Sequence, residues 1–488
     1  MVARSALAAW DRFSFAAAFA AGLLTLSAIA QPLSAEEAPA STVAATPVAD
    51  AVAPTPDGTL KEETPAQRGY RLLTTKTYLP PDFDQEVFND LWKVWEEPAR
   101  TLAGKATPEE RRKMAFSRYG LTEAPEGVRA TAMQYVDDGK QGWVMNCMAC
   151  HGGKVMGRAI PGLPNSHYAM QTLADEVRSV KLKQRKLSPL EVAAASFPMG
   201  GSNGTTNAVM FGVALGVLRD EDLNVRFPKV RPEFVHHDMD APPWWNVKKK
   251  TYLYLDGFSP KSHRALMQFL MIPQNGPENF RKWEADFKDI YAWIESLEPP
   301  KYPFEVDQAL AARGHKVFEN NCSSCHGTYG EKWTYPNKMV PIDEVGTDRV
   351  RLDALTVEQR AGYERNWFNN YGEKKVVSDP DGYVAPPLDG IWASAPYLHN
   401  GSVPTLWHLF HSSERPVVWQ RTEDGYDQQK IGLKVTTMAD MPADVTDAKQ
   451  KRRYFNTRLF GKSNAGHLFP DALDEADKQA VIEYLKTL

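Results

Sequence analysis

Cysteine and histidine occur in the same arrangement twice in this sequence, as Cys147-Met148-Ala149-Cys150-His151 and as Cys322-Ser323-Ser324-Cys325-His326. In such a C-x-x-C-H pattern the two thiols can add to the two vinyl groups of a porphyrin, and the adjoining histidine can bind its iron. The two patterns use all 4 cysteines of the chain. Two disulfides, or one zinc site made from both cysteine pairs, would not explain a histidine directly after each second cysteine.

The sequence therefore predicts two covalently bound haem c groups. The predicted attachment residues are Cys147, Cys150, Cys322 and Cys325, and the predicted proximal iron ligands are His151 and His326.

The residue on the opposite face of each iron decides what the haem can do. A filled position favours electron transfer, whereas an open position admits peroxide or O₂. For the second haem we predict His467 as the ligand, because Gly466 before it lets the backbone approach the porphyrin; Met438 and Met441 are the alternatives. For the first haem no residue stands out, and we predict an open iron. The residues considered for that position are His167, His236, His237 and His263.

Three aromatic residues are weak candidates for a role in catalysis. Trp244 and Trp245 follow two prolines, and they could relay electrons between the haems or serve only in packing. Phe269 lies on a short helix that we predict after His263, from which it could cap a distal pocket.

The composition indicates an exported globular protein. The formal net charge of −4 argues against a nucleic-acid partner. Residues 1–35 combine arginines, an apolar stretch and small residues, which is typical of a secretory signal peptide. An uncleaved anchor is the alternative, because the apolar stretch is close to the length that spans a bilayer. We expect a periplasmic or secreted bacterial protein, without a membrane span in the mature chain unless the signal is uncleaved.

The rest of the chain is expected to be mostly helical after a disordered linker at residues 36–67, which are rich in Ala, Pro, Thr and Glu. A helix before the second motif carries Gly314, which would permit a close helix crossing. Apolar-striped helices near residues 289–297 and 479–488 follow the two motifs. The segment that leads through Gly142 to the first motif is also predicted to be helical.

This order of elements resembles class I cytochromes c, in which a C-terminal helix crosses the helix that carries the haem motif. Prolines near residue 300 cannot continue a helix and mark a boundary. We predict a mostly α fold with two tandem class I cytochrome c-like domains. The first covers residues 68–300, with a large insertion at about 155–287, and the second covers residues 301–488.

The stretch Pro396-Tyr397-Leu398-His399-Asn400-Gly401-Ser402 resembles a motif of the bacterial dihaem cytochrome c peroxidases, a superfamily that includes the maturase MauG and the RoxA-type dihaem rubber oxygenases. The resemblance spans roughly residues 70–488, and in this family the motif lies beside the second haem. Fourteen residues after the motif histidine, peroxidases have an axial Met and MauG an axial Tyr, whereas this chain has Ser413. Neither ligand can therefore be carried over.

The rubber oxygenases instead bind the second haem through a histidine near the C-terminus, in an Asn-Ala-Gly-His context similar to Asn464–His467. This chain is most similar to that subgroup, in which the first haem keeps an accessible site for O₂. The resemblance implies an exported dihaem oxidoreductase whose first haem activates peroxide or O₂ and whose second haem relays electrons from a redox partner protein. A dihaem electron carrier without catalytic activity is the alternative.

Overall fold

The computed structural model describes residues 62–227, 233–369, 371–372 and 374–488. The predicted signal peptide at residues 1–35, and the predicted linker as far as residue 61, lie outside the described residues. The end of that linker is folded, because the first helix begins at Pro65. The Thr64 hydroxyl accepts a hydrogen bond from the backbone of Gln67, and the Gln67 side chain accepts one from the backbone of Thr64. This reciprocal cap fixes the helix start.

Helices make up most of the regular structure, which confirms the predicted mainly α composition. The α-helices are α1 Pro65–Thr75, α2 Gln85–Asp90, α3 Ala99–Lys105, α4 Pro108–Tyr119, α5 Met148–His151, α6 Met170–Lys183, α7 Pro189–Ala194, α8 Ala208–Val217, α9 His263–Met267, α10 Pro277–Ser296, α11 Gln308–Asn321, α12 Ser323–His326, α13 Ile342–Val345, α14 Val350–Asp353, α15 Val357–Arg365, α16 Leu406–Phe410, α17 Ala448–Lys451 and α18 Glu475–Leu485. Short 3₁₀ helices occupy Leu91–Val94, Trp244–Lys249, Gln268–Leu270, Ile391–Ala393, Ser412–Glu414 and Phe469–Ala472.

Strands are short and lie mostly in hairpins. They are β1 Phe83–Asp84, β2 Tyr135–Asp137, β3 Gly142–Met145, β4 Lys154–Val155, β5 Arg158–Ala159, β6 Tyr252–Leu253, β7 Ser259–Pro260, β8 Met339–Pro341, β9 Gly382–Val384, β10 Val418–Asp427, β11 Gly432–Met438 and β12 Tyr454–Asn456. One antiparallel sheet has the order β1-β3-β2 and another the order β11-β10-β12. The prediction of helix before the first motif was wrong, because β3 is the central strand of the first of these sheets, where Trp143 is buried.

Two pairs of crossed helices follow the same plan. Helix α11, which precedes the second motif, crosses the C-terminal α18 at Gly314, and a Cβ atom there would collide with the backbone carbonyl of Ala480. Helix α1 crosses α10 at Gly69, where a Cβ atom would collide with the backbone of Asp289. The glycines allow the axes to approach more closely than a side chain would permit. The close crossing predicted at Gly314 is therefore confirmed.

The largest hydrophobic cluster contains residues from both sides of the predicted boundary at residue 300, among them Trp293 of α10 and Phe318 of α11. Helix α10 begins at Pro277, within the predicted insertion, and ends at Ser296. The division into two tandem domains at residues 300 and 301 stays a prediction. None of the helices within the described ranges has the length and apolar composition needed to cross a membrane.

Candidate haem-attachment sites

The first C-x-x-C-H motif forms a single helical turn, α5, that follows strand β3. The Asn146 side chain accepts a hydrogen bond from the backbone of Met148 at 2.8 Å, and the Asn165 amide donates to the carbonyl of Ala149 at 3.1 Å. Met148 and Ala149 are buried, at 0% and 2% exposure. Cys147 and Cys150 are half-buried free thiols. Burial raises the pKa of Cys147 to about 11 and that of Cys150 to about 12, so both stay protonated at neutral pH.

His151 at the end of α5 is held in one tautomer. Its Nδ1 lies 3.1 Å from the carbonyl oxygen of Pro242, and since a carbonyl only accepts, Nδ1 carries the proton. The ring stacks on the indole of Trp244, with centroids 4.5 Å apart and planes 21° apart. Burial lowers the pKa of His151 to about 4. The ring is therefore neutral at pH 7, and Nε2 keeps the lone pair that a metal needs.

The second motif repeats this geometry in α12. The Nδ1 atom of His326 donates to the carbonyl oxygen of Pro386 over 2.8 Å, and burial lowers the pKa of this histidine. The Tyr329 hydroxyl donates to the carbonyl of His326 at 3.0 Å and accepts from the backbone of Leu388 at 2.7 Å. These bonds tie the motif to the segment that carries Pro386. The residues of α12 are half-buried or exposed, whereas Met148 and Ala149 of α5 are buried.

The two carbonyl acceptors belong to a repeat that sequence reasoning missed. Pro242 lies in Ala241-Pro242-Pro243 and Pro386 lies in Ala385-Pro386-Pro387, and each repeat follows its own C-x-x-C-H motif. A proline cannot donate through its nitrogen, so its carbonyl is free to accept from the side chain of another segment. The recurrence of Ala-Pro-Pro after each motif is the sequence signal that could have revealed these two acceptors.

The residues present fit a haem c at both motifs. Each offers two unpaired cysteines at the attachment spacing and a neutral histidine whose Nδ1 proton is bound to a carbonyl. Such a hydrogen bond orients the ring and leaves Nε2 available as the iron ligand. The chemistry of the donor set therefore matches the cofactor that the sequence predicts.

The structure brings His467 next to His326. Their ring centroids lie 6.2 Å apart and their planes are inclined by 61°. With metal–nitrogen bonds of about 2 Å, a metal between the facing nitrogens of two imidazoles separates the ring centroids by roughly 6 Å. Burial, and then the neighbouring His326, lower the pKa of His467 to about 4. Its ring is therefore also neutral at pH 7.

The loop around His467 is fixed by backbone contacts. Gly466 and His467 have positive φ angles of 80° and 50°, and a Cβ atom at Gly466 would collide with the backbone at Gly346 and Thr347. The buried Arg415 donates to the carbonyl oxygens of Asn464 and Gly466 at 2.7 Å each. The glycine therefore has the role of permitting a close backbone approach, here against another loop.

The two alternative methionine ligands lie at the end of strand β11 and just after it, and the choice between them and His467 stays a prediction. Met438 ends β11, where it pairs with Val418 of β10, and Met441 follows that strand. Ser413, which replaces the family's axial residue, lies in the 3₁₀ helix Ser412–Glu414. The ring of His326 is in contact with His467.

The histidines considered for the first iron are engaged in other contacts. The Nδ1 atom of His236 accepts a hydrogen bond from the Asn207 amide at 2.8 Å, and the ring packs edge-on against Phe197. His263 is paired with Glu284 at 3.1 Å. His237 bonds the carbonyl of Val235 at 3.0 Å, and His167 contacts Ser166. The open position at the first haem stays a prediction.

The paired tryptophans lie between the segments that hold the two motif histidines. Trp244 stacks on His151, and the Nε1 of Trp245 donates to the carbonyl oxygen of Asp389 at 2.7 Å. The neighbouring Asn246 donates to the carbonyl of Pro387 at 2.9 Å. The 3₁₀ helix Trp244–Lys249 therefore joins the His151 side to the Pro386–Asp389 segment. Phe269 lies apart from this link, in the 3₁₀ helix Gln268–Leu270, facing Gly212 of α8.

The Pro-Tyr-x-His-x-Gly stretch anchors the second site. The Asn400 side chain donates to the carbonyl oxygens of Gly461 at 3.2 Å and Ser463 at 2.9 Å, at the start of the loop that leads to His467. His399 packs against Tyr383 of β9 with centroids 4.8 Å apart. Burial, followed by the neighbouring His237 and Arg351, lowers the pKa of His399 to about 3.

Residues 382–420 match the RoxA-like, cytochrome c-like family. This range contains β9, Pro386 and the Pro-Tyr-x-His-x-Gly stretch, so it coincides with the support of the second motif. The match shows a cytochrome c-like region, which implies a haem protein. Attachment at the individual cysteines of each motif, and the presence of two haems, stay predictions.

Two relatives are uncharacterised proteins of Sinorhizobium fredii. The protein y4iM is 29% identical over 292 residues, which cover 51% of this chain and 64% of y4iM. The protein y4iJ is 29% identical over 258 residues, which cover 39% of this chain and 41% of y4iJ. The chain therefore spans less than two thirds of the length of either relative.

Proposed function

We propose that this chain is an exported dihaem c-type oxidoreductase in which the first haem reacts with peroxide or O₂ and the second relays electrons from a redox partner protein. In this proposal Cys147 and Cys150 attach the first haem with His151 as its iron ligand. Cys322 and Cys325 attach the second, with His326 and His467 on its two faces. When bound, haem supplies one-electron redox chemistry and, where one face is open, a site for a small oxidant.

This assignment of roles rests on the difference in burial between the two motif helices, α5 and α12. Met148 and Ala149 between the cysteines of α5 are buried, whereas none of the residues of α12 is. An attachment helix at the surface brings a haem edge close to solvent, where a partner protein can exchange electrons. An attachment helix in the interior keeps the first site away from partners and suits it to small molecules.

The ligand geometry supports the same division. The 6.2 Å between the rings of His326 and His467 suits a six-coordinate iron, which favours electron transfer over binding of an oxidant. The ring of His151 is oriented by its hydrogen bond to the Pro242 carbonyl and stacks on Trp244. The 3₁₀ helix Trp244–Lys249 offers a direct path between the two sites.

The comparisons support the class of chemistry. A RoxA-like, cytochrome c-like match around Pro386 is consistent with a redox protein that binds haem covalently. Because c-type cytochromes are typically extracytoplasmic in bacteria, it also agrees with the predicted signal segment. The oxidant, peroxide or O₂, is inferred from the family resemblance of the sequence. This choice of substrate class is part of the proposal.

Binding of small ligands to the purified protein tests the proposal. The reduced protein should bind CO, and the oxidised protein cyanide, with a change in about half of the haem absorbance, because one of two irons has an open face. The other half should not respond, since its two histidines must be displaced first. If neither haem binds either ligand and peroxide does not oxidise the reduced protein, the chain is an electron carrier and the proposal is wrong.

A further inference from the structure

Three charged side chains are buried together, and one of them, Arg351, belongs to a segment that packs against the loop before His467. Asp256 forms ion pairs with Arg351 at 3.0 Å and with Arg360 at 2.6 Å, and the side chains of all three are at most 1% exposed. One carboxylate faces two guanidinium groups, so these three side chains have a net charge of +1, and Asp379 is a further carboxylate that acts on Arg360. A buried charge is costly unless it is paired and hydrogen-bonded, so the hydrogen-bond partners of the two guanidinium groups decide whether an acceptor is missing.

Arg351 has donors to spare for such an anion. Its Nη2 donates to Asp256, whereas its buried Nε and Nη1 have no hydrogen-bond partner among the described residues. The buried hydroxyl of Thr347 also has no hydrogen-bond partner there. A protein interior rarely leaves so many polar atoms unpaired in one neighbourhood, and a missing acceptor explains them together.

The cluster lies between the supports of the two histidines at the second site. The backbone of Thr347 packs against Gly466, directly before His467. Tyr383, three residues before Pro386, donates through its hydroxyl to the carbonyl of Asp348 at 2.8 Å and accepts from the backbone of Leu352 at 3.2 Å. Arg351 therefore belongs to a segment that contacts both the loop that carries His467 and the strand β9 that precedes Pro386.

Neighbouring carboxylates do not supply the acceptor. Asp348 accepts from the backbone of Val350 at 2.9 Å and of Ser463 at 3.2 Å. Asp238 pairs with Lys462 at 2.9 Å. Asp379 is also close enough to act on Arg360, but it accepts no hydrogen bond from Nε or Nη1 of Arg351. These two donors of Arg351 therefore lack an acceptor among the described residues.

We propose that Arg351, together with Thr347, binds a propionate carboxylate of the second haem. The inference rests on the proposed function, because it requires a haem at Cys322 and Cys325. The planar edge formed by Nε and Nη1 of an arginine matches the two oxygens of a carboxylate. One propionate would neutralise the excess charge of the trio with Asp256 and Arg360. It would also couple the haem to the loop that carries His467.

Redox titration of the Arg351→Gln protein tests this proposal. The haems are first counted by their covalent retention in the denatured protein, so that a missing second haem, which would refute the proposed function, is recognised separately. With both haems present, loss of a buried cation favours the ferric state, and the reduction potential of the six-coordinate haem should fall. The unpaired propionate should also make this potential depend on pH. Arg349→Gln is the matched control, because Arg349 is exposed and pairs with Asp353 at 2.8 Å; it should leave the potential unchanged.

A second variant keeps the test valid if Arg351→Gln does not fold. Thr347→Val removes a buried hydroxyl that has no hydrogen-bond partner in the described part of the chain, so it should leave the haem-loaded protein equally or more stable if nothing binds there. If the hydroxyl donates to a propionate, the same change should lower the melting temperature of the haem-loaded protein. Unchanged potential in Arg351→Gln, or no loss of stability in Thr347→Val, would overturn the proposal. A potential that varies with chloride or phosphate concentration in the native protein would also overturn it, because the anion would then come from solution.

Discussion

The imidazole rings of His326 and His467 lie with their centroids 6.2 Å apart and their planes inclined by 61°. The two residues are far apart in the chain and are brought together by the Pro386 carbonyl on one side and the Gly346–Gly466 contact on the other. Both rings are held neutral by burial, which lowers their pKa values. Two neutral imidazoles at this separation are suited to share one metal ion.

Replacement of His467 by glycine should therefore change the second haem. Without its second strong ligand the iron should become high-spin or bind water, with a shift in reduction potential. Electron paramagnetic resonance and absorption spectra of the oxidised protein measure this directly. Met438→Leu and Met441→Leu serve as controls and should keep the low-spin signal. A native spectrum for His467→Gly, with a change in either methionine variant, would show that the sulfur ligand is the correct one.

The crossing of α11 and α18 gives a test of the fold itself. Gly314→Ala places a methyl group against the carbonyl of Ala480, so we expect a loss of about 1–3 kcal/mol in the free energy of unfolding. Gly362→Ala in α15 is the control, because that site has open space for a Cβ atom; it should stabilise by about 0.4–1 kcal/mol. Urea unfolding followed by circular dichroism gives both values. Equal stability of the two variants would contradict the close crossing.

The sequence predicted well those features whose conformation depends on neighbouring residues. Helix α4 has bounds that local sequence signals set, because Thr107 and Glu110 form a reciprocal cap and Gly120 ends it in the left-handed conformation. Gly314 was predicted to lie at a crossing because it is framed by Leu310 and Phe318 at helical spacing. The resemblance to the RoxA-type oxygenases drew attention to His467, and the 6.2 Å separation from His326 agrees with it.

The first site was harder to predict because its parts are distant in sequence. The segment before the first motif is the strand β3, whose conformation is set by pairing with β1 and β2 rather than by its own periodicity. Helix α1, which crosses α10 at Gly69, lies well before the motif and was partly assigned to the linker. The Pro242 carbonyl was not recognised because backbone acceptors carry no side-chain signature.

His408 should make the protein sensitive to acid. It is buried on α16, with Nδ1 2.7 Å from the Thr405 hydroxyl, and burial lowers its pKa to about 4. An unfolded histidine titrates at about 6.5, so below that pH the unfolded chain binds a proton that the folded ring does not. Stability should fall as the pH drops from about 6.5 to about 4, by at most about 1.4 kcal/mol per pH unit. His408→Gln should have a flatter profile of unfolding free energy against pH than the native protein. Identical slopes in the two proteins would refute this origin of the acid sensitivity.

Trp244 and Trp245 can be tested as an electron path between the haems. Trp244 stacks on His151 and Trp245 is hydrogen-bonded to Asp389, in the segment that follows Pro386, so the two indoles connect both sites. If one of them relays electrons, Trp244→Phe or Trp245→Phe should slow the oxidation of the second haem after peroxide is added, without weakening CO binding at the first. Trp419→Phe is the control, because that buried indole also donates to one backbone carbonyl, of Ser402, and packs on Phe455. A packing role predicts instead that all three variants lose stability, by a few kcal/mol at most, and transfer electrons at the native rate. Stopped-flow absorption of the low-spin haem separates the two outcomes, and native rates in both Trp244→Phe and Trp245→Phe would exclude the relay.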